Sequence, residues 1–481
     1  MLQTCRSTRL LVSLAVSATL LSACAIGPDY KRPDAPGSGG IDHYKNTGHE
    51  VATSQVPQGA VADRWWTVFN DPILNDLEDQ VVVTNQNIAQ AAAAYAQARA
   101  VVRQDRSALW PSFGLAASAT NSGGPAATVI KGQPHTTYQL AGSATWELDL
   151  WGKLRRTLEN AKAGAQASAA DLASARLSAQ SALATAYLQL RGADAQRKML
   201  ADTQTAYALT LKITENRYKA GTAAKTDVLN AQTQLYSAQN QEQSTVLQRA
   251  QLENSIAALL GRLASGFSIA PLEDWNLPTP VLPAGLPSEL LRRRPDIAAA
   301  ERQMAAANAT IGVQEAAYFP SLTLTGDYGF ASTALRTLFD AGNMSHSVAG
   351  QLSQTLLDFG GRRAQVDQAR SAYAQSVASY RQTVITAFQD VENDLAASNI
   401  YSRQFEILTQ DSQAADLTEK LTLNQYKAGT ADMTAVVVAQ TAALTARVSL
   451  AQMRVQRQTT AVALVADLGG GWQAPDYTRY Q

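Results

Sequence analysis

The sequence predicts a mainly α-helical subunit built as a tandem repeat, each half carrying one β-hairpin long enough to span a membrane. Three observations predict it. "YKAGTA" is written twice, from Tyr218 and from Tyr426, an offset of 208; Trp151-Gly152 and Phe359-Gly360 keep the same offset, and Trp110-Pro111 and Phe319-Pro320 lie 209 apart. A constant offset of this kind marks duplication of a structural unit. In each half a stretch of period-two alternation, the mark of a half-buried strand, interrupts helical periodicity. No proline lies between Pro134 and Pro271 or between Pro320 and Pro475, which leaves two windows open to very long helices.

Composition narrows the function classes. The 481 residues carry 40 Lys+Arg and 40 Asp+Glu, so no basic field calls for nucleic acid and no acidic tail for a basic partner. Aromatic residues make up only 7%, while Ala, Gln, Ser and Thr are abundant, a composition suited to long helices packed closely rather than to a large compact core. His43, His49, His135 and His346 stand apart from any Cys/His cluster, "GSGG" at Gly37 and "GGG" at Gly469 lack the strand-to-helix context of a phosphate loop, and no nucleophile–base constellation is evident. No catalytic residue, metal site or cofactor is assigned, and the chain is not read as an enzyme.

Residues 1–23 read as a signal peptide. Arg6 and Arg9 precede the apolar run "LLVSLAVSATLL", which is too short to cross a bilayer. The segment ends Leu21-Ser22-Ala23-Cys24, a lipobox in which Cys24 becomes the acylated first residue; the bland alternative is an ordinary signal peptide with an incidental cysteine. Cys5 lies in the removed segment, so Cys24 has no internal disulfide partner. Residues 24–62 follow as an extended Pro/Gly tether.

The first repeat is assigned to 63–270. A helix begins with Asp71 as N-cap and Pro72 at its first position, and runs to Trp110-Pro111. A hairpin occupies 111–150: Phe113 and Leu115, then the turn-like "NSGGPAA", then Tyr138, Leu140, Ala144, Trp146, Leu148 and Leu150 alternating with polar residues. Helix returns at Lys153, interrupted at Arg191-Gly192 and at Gly221, with Leu172, Ala175, Ala179, Ala182, Ala186 and Leu190 as an alanine-rich seam. A linker over 271–293 leads to the second repeat, 294–468, with its hairpin over 320–358 and Leu322, Leu324, Tyr328, Phe330, Val348, Leu352 and Leu356 on one parity. The tail is 469–481. Arg292-Arg293-Arg294 precedes a helix start and is expected to form ion pairs, with Glu301 as one partner.

Four strands cannot close a barrel around side chains, and an open sheet edge is not tolerated in lipid. Trp110, Trp151, Tyr318, Phe319 and Phe359 sit near the strand ends, where membrane girdles belong. The consistent solution is a barrel shared between subunits, continued by helices; from Lys153 to Arg191 alone a helix would reach about 60 Å. A soluble four-stranded layer over a helical bundle is the bland alternative.

The chain resembles the TolC-like outer-membrane efflux channels, in the lipid-anchored (OprM/NodT-type) branch that serves drug-efflux pumps. The resemblance runs from Cys24 to about Leu468 and is carried by "WWTVFNDPILNDLEDQ", "WELDLWGKLRR", "LLRRRPDIAAAERQMAAANATIGVQEAAYFPSLTLTG" and both "YKAGTA" copies. It implies a homotrimer with one twelve-stranded β-barrel in the outer membrane, continued by a long α-helical barrel in the periplasm. It also implies contact with outer-membrane lipid, a periplasmic membrane-fusion adaptor and an inner-membrane transporter of RND type, without nucleic acid. By position, adaptor-docking tips are expected at Arg191, Gly192 and Ala193 and at Ser398, Asn399 and Ile400, and equatorial turns at Gly221, Thr222, Gly429 and Thr430. Asp411 and Asp416 are expected near the periplasmic gate, Asp416 as a ring of three carboxylates. The implied function is a passive exit duct for small toxic compounds. A type I protein-secretion duct and a lipid-anchored periplasmic coiled-coil scaffold are the alternatives.

Overall fold

The computed structural model describes residues 25–34, 36, 44–46, 64–122, 135–272, 275, 279–280 and 293–474. Cys24, His43, His49, Arg292 and the "GGPAA" part of the first hairpin's turn lie outside the described residues. The main elements are α1 (Pro72–Thr84), α2 (Gln86–Ser107), β1 (Ser112–Ser122), β2 (His135–Leu148), α3 (Lys153–Lys219), α4 (Lys225–Leu259), α5 (Pro295–Ala316), β3 (Ser321–Ser332), β4 (Met344–Ser353), α6 (Gly361–Ala428) and α7 (Met433–Asp467). Helix, hairpin and long helix pair thus occur twice in the same order. The chain divides into two compact units, 1–34 with 94–169 and 299–381, and 35–93 with 170–298 and 382–481.

The first unit holds one antiparallel sheet in the order β1-β2-β3-β4. Its register carries the sequence pattern onto a single face. Phe113 lies opposite Ala144, Ala144 opposite Gly326 and Gly326 opposite Val348; Leu148 lies opposite Leu322, and Leu322 opposite Leu352. Every residue of the predicted apolar parity within the strands therefore shares one side, and polar residues with small Gly and Ala occupy the other; a one-residue slip would exchange the two. Much of the apolar side is uncovered: Phe113 is 82% and Val348 89% exposed, while Trp146, Leu148 and Phe330 are half-buried, Phe330 against the Phe339 ring. At the strand ends Trp151 stacks on Phe319, with ring centroids 4.9 Å apart, and the Trp151 indole donates to the Pro320 carbonyl at 2.7 Å.

The segment after Cys24 is pinned rather than free. Ile26 N–H donates to the Trp151 carbonyl at 3.0 Å, and Arg156 donates to the carbonyls of Ile26 and Gly27 and to Asp29. The Tyr30 hydroxyl donates to Glu301 at 2.5 Å. Gly27 has φ of 100°, and a Cβ there would meet Gly312 Cα at 2.3 Å, so this close approach needs glycine at Gly27.

The second unit is built on the alanine-rich stretch of α3. Ala179, Leu183, Tyr187 and Leu190 pack with Trp65, Phe69, Leu74, Leu77 and Val81 in one core. The expected seam is only partly right, because Ala182 is exposed while Leu183 and Ala184 are fully buried. Asp71 caps α1 as its sequence predicts, its carboxylate accepting from Ile73 and Leu74 N–H with Pro72 in the first turn. The expected single helix to Trp110 is two helices. Asn85 interrupts it, and its side chain accepts from Asn87 and Ile88 N–H to cap α2. Of the arginine run, Arg294 is ion-paired, but with other partners: it meets Asp296 at 2.8 Å and Asp467 at 3.1 Å, whereas Glu301 is held by Arg302 and Tyr30.

Candidate docking tips and channel wall

The helices show where each hairpin of the wall turns. α3 is one helix of 67 residues and α6 one of 68, each about 100 Å long at 1.5 Å per residue. Neither is broken at the expected tips. The chain reverses instead at the two "YKAGT" copies, so those glycines mark the ends of the helix pairs and not bends partway along them. Gly221 and Gly429 have φ of 76° and 78°. In the first copy Gly221 N–H donates to the Tyr218 carbonyl and Thr222 N–H to the Arg217 carbonyl; in the second, Gly429 donates to Tyr426 and Thr430 to Gln425. This pair of bonds is the Schellman termination, in which a left-handed residue caps the last carbonyls. Thr222 and Thr430 add their hydroxyls to the same carbonyls, each at 3.1 Å. After each turn an aspartate starts the return helix: Asp227 accepts from Ala224 N–H, and Asp432 from Ala435 N–H.

The two turns are fastened to each other. The Arg217 guanidinium lies 4.4 Å from the Tyr426 ring centroid and donates to the Tyr426 carbonyl. The Tyr426 hydroxyl reaches Thr214 Oγ1 at 3.3 Å, and Tyr426, Met433, Val436 and Ala231 form a small apolar core. Lys219, Lys427 and both Gly-Thr pairs remain exposed.

The residues expected at the tips do other work. Arg191 is fully buried inside α3, donating to the Tyr187 hydroxyl at 2.9 Å, Asp194 at 3.0 Å and the Ala270 carbonyl at 2.8 Å. Tyr187 in turn donates to Asp71, and Asp194 also accepts from Arg249 at 2.6 Å. The network ties α1, α3, α4 and the stretch after α4 together. A Cβ on Gly192 would meet Val455 Cγ2 at 2.1 Å, so this glycine admits α7 rather than ending α3. Ala193 is buried beside it. Ser398, Asn399 and Ile400 lie within unbroken α6, where the Asn399 side chain donates to the Asn46 carbonyl at 2.7 Å.

Asp416 is countered by a cation. Arg447 donates to Asp416 and to Glu419, both at 2.7 Å. Burial pushes the Glu419 carboxyl up, against the pull of Arg447. Asp411 is exposed, and five helical positions separate it from Asp416, about 140° around the axis, so the two do not share a face. Asp416 faces a groove that also contains Lys198, Lys420 and Arg454. Sequence reasoning missed Arg447 because nothing local ties it to a carboxylate 31 residues away.

The comparisons with known proteins agree with this architecture. The family profile described as outer membrane efflux protein matches residues 77–262 and 286–470, once over each repeat. The chain is 31% identical to the probable efflux pump outer membrane protein TtgC of Pseudomonas putida, over 97% of this chain and 96% of that one. It is 30% identical to the outer membrane protein OprJ of Pseudomonas aeruginosa, over 96% of each. Among solved structures, the outer-membrane channel OprN superposes with a TM-score of 0.86 at 31% identity, covering 94% of this chain and all of that one. This chain belongs to the outer membrane efflux protein family.

Proposed function

We propose that three copies of this chain form the outer-membrane duct of a tripartite efflux pump, through which small toxic compounds leave the cell. One observation carries the reading: an open four-stranded sheet, apolar on one largely uncovered face, runs directly into helices about 100 Å long. Strands of 10 to 14 residues match a tilted membrane span. The free edges of β1 and β4 are intolerable in lipid unless further copies close the sheet. The duct needs no chemistry of its own; an inner-membrane transporter of RND type supplies the driving force through a periplasmic adaptor.

Cys24 is proposed as the acylated residue. Its neighbours support this, because Ala25 and Ile26 are held at Trp151-Gly152, beside the ends of the strands, where an acyl chain reaches the bilayer. The adaptor is proposed to dock on the turns at Gly221-Thr222 and Gly429-Thr430, the ends of the helix pairs, in place of the stretches at Arg191 and Ser398. Asp416 is retained as a gate residue in a modified form, as part of a carboxylate–arginine latch with Arg447.

Charge reversal at Lys219 and Lys427 tests the docking assignment. Lys219→Glu with Lys427→Glu should raise dye retention in cells and abolish cross-linking to the adaptor, while the channel's native mass stays unchanged. Undiminished efflux would place docking elsewhere.

A further inference from the structure

The seam that joins the two repeats near the tips has an unoccupied counterpart in the same chain. Within the chain, Gln440 Nε2 of α7 donates to Thr210 Oγ1 of α3 at 3.3 Å, and the Tyr426 hydroxyl of α6 donates to Thr214 Oγ1 at 3.3 Å. All four residues are buried, Tyr426 to 2% exposure. Exchanging the repeats at the offset of 208 turns Thr210 and Thr214 into Thr418 and Thr422, and Gln440 and Tyr426 into Gln232 and Tyr218. Each counterpart is the same residue type. Val228 and Val436, Ala231 and Ala439, and Thr233 and Thr441 keep the identity along the return helices.

Yet the counterparts are open. Tyr218 is 45% exposed, Thr418 is exposed, and Gln232 and Thr422 are half-buried. Thr418 bonds back to the Ala414 carbonyl, as Thr210 does to Ala206, so its backbone setting is the same and only the covering helix is missing. Four hydrogen-bonding positions of the buried seam thus recur on an open face, although Tyr207, whose hydroxyl donates to the Gln440 carbonyl, corresponds to Ala415.

We infer that these residues form the seam between neighbouring copies, with Gln232 bonded to the partner's Thr418 and Tyr218 to the partner's Thr422. The occupant is a second copy of this chain. Repeats related by one rotation leave one complementary edge at each end, and such head-to-tail edges close into a ring when the rotation allows it. The two seams are not chemically equal. Arg217 corresponds to Gln425 and Met433 to Lys225, so the between-copy seam lacks the guanidinium over tyrosine and carries a lysine where the internal seam is apolar.

The inference rests on the assembly proposed above, and the test separates the two. Gln232→Cys with Thr418→Cys, and separately Tyr218→Cys with Thr422→Cys, are made in the full chain, purified in detergent and treated with a short bis-maleimide. Thr210→Cys with Gln440→Cys serves as the internal control. The expected result is two- and three-chain bands on a denaturing gel for the first two pairs and only a single-chain band for the control. Both test pairs failing to link chains in a protein that still has the native mass of a trimer would overturn the seam and leave the assembly standing. A monomeric native mass for the unsubstituted chain would remove both.

Discussion

Arg191 offers a direct way to tell a buried staple from a docking residue. Arg191→Ala removes hydrogen bonds to Tyr187, Asp194 and Ala270 and leaves Asp194, itself only 3% exposed, with Arg249 as its remaining ionic partner. Removing one member of a buried ion pair costs about 3–5 kcal/mol, chiefly because the other charge stays desolvated. Unfolding entropy of about 2.1 cal/mol/K per residue makes each kcal/mol worth roughly 1 °C in a chain of this length, so the expected loss is about 3–5 °C. The assay is thermal denaturation of the purified protein at one fixed scan rate, since unfolding of a large membrane protein is governed by rate. Arg191→Lys should recover little, because an ammonium cannot reach the hydroxyl, carboxylate and carbonyl together. Arg191→Met with Asp194→Leu should recover only part of the loss, because Arg249 then loses Asp194 and keeps Glu253 and the Ile269 carbonyl. An unchanged melting temperature for Arg191→Ala, together with impaired efflux, would refute the staple and restore Arg191 as a docking residue.

Three further outcomes are expected. Gly192→Ala, which should favour a helix by propensity, is instead destabilising by about 1–3 kcal/mol because its Cβ strikes Val455, and Val455→Ala should relieve it; denaturation of the single and double variants checks this. Glu78 is fully buried with neither carboxylate oxygen hydrogen-bonded, and burial, aided by Asp79, pushes its pKa up to about 9. Its raised folded-state pKa means stability is fully present below the unfolded value near 4.3, falls as pH rises and is lost through about 9, so Glu78→Gln should flatten the stability profile between those limits. Asp416→Ala should raise single-channel conductance and weaken block by divalent cations, and identical traces would remove Asp416 from the gate.

Much of the fold was legible because it is written in local periods. Alternation alone put Leu148, Leu322 and Leu352 on the apolar parity of their own stretches, and the register brings those parities to one face. Asp71-Pro72 announced its own helix start. The misreadings share a cause: glycine punctuates a sequence in two ways. Gly221 ends a helix by adopting a left-handed conformation, whereas Gly192 stays helical and makes room for Val455, which only tertiary structure reveals. Asn85 carries a local signal, an N-cap residue type in the polar stretch Thr84-Asn85-Gln86-Asn87 between two helical patterns. Arg294 has one local partner, Asp296, but its other partner Asp467 and the Arg447 partner of Asp416 lie 173 and 31 residues away, beyond any spacing rule.

The central claim is that copies of this chain close one pore. Native mass in detergent, measured beside conductance in planar bilayers, tests it most directly. The account predicts a trimer with small, flickering conductance, as a normally closed duct should give. A monomer that leaves the bilayer silent would contradict it.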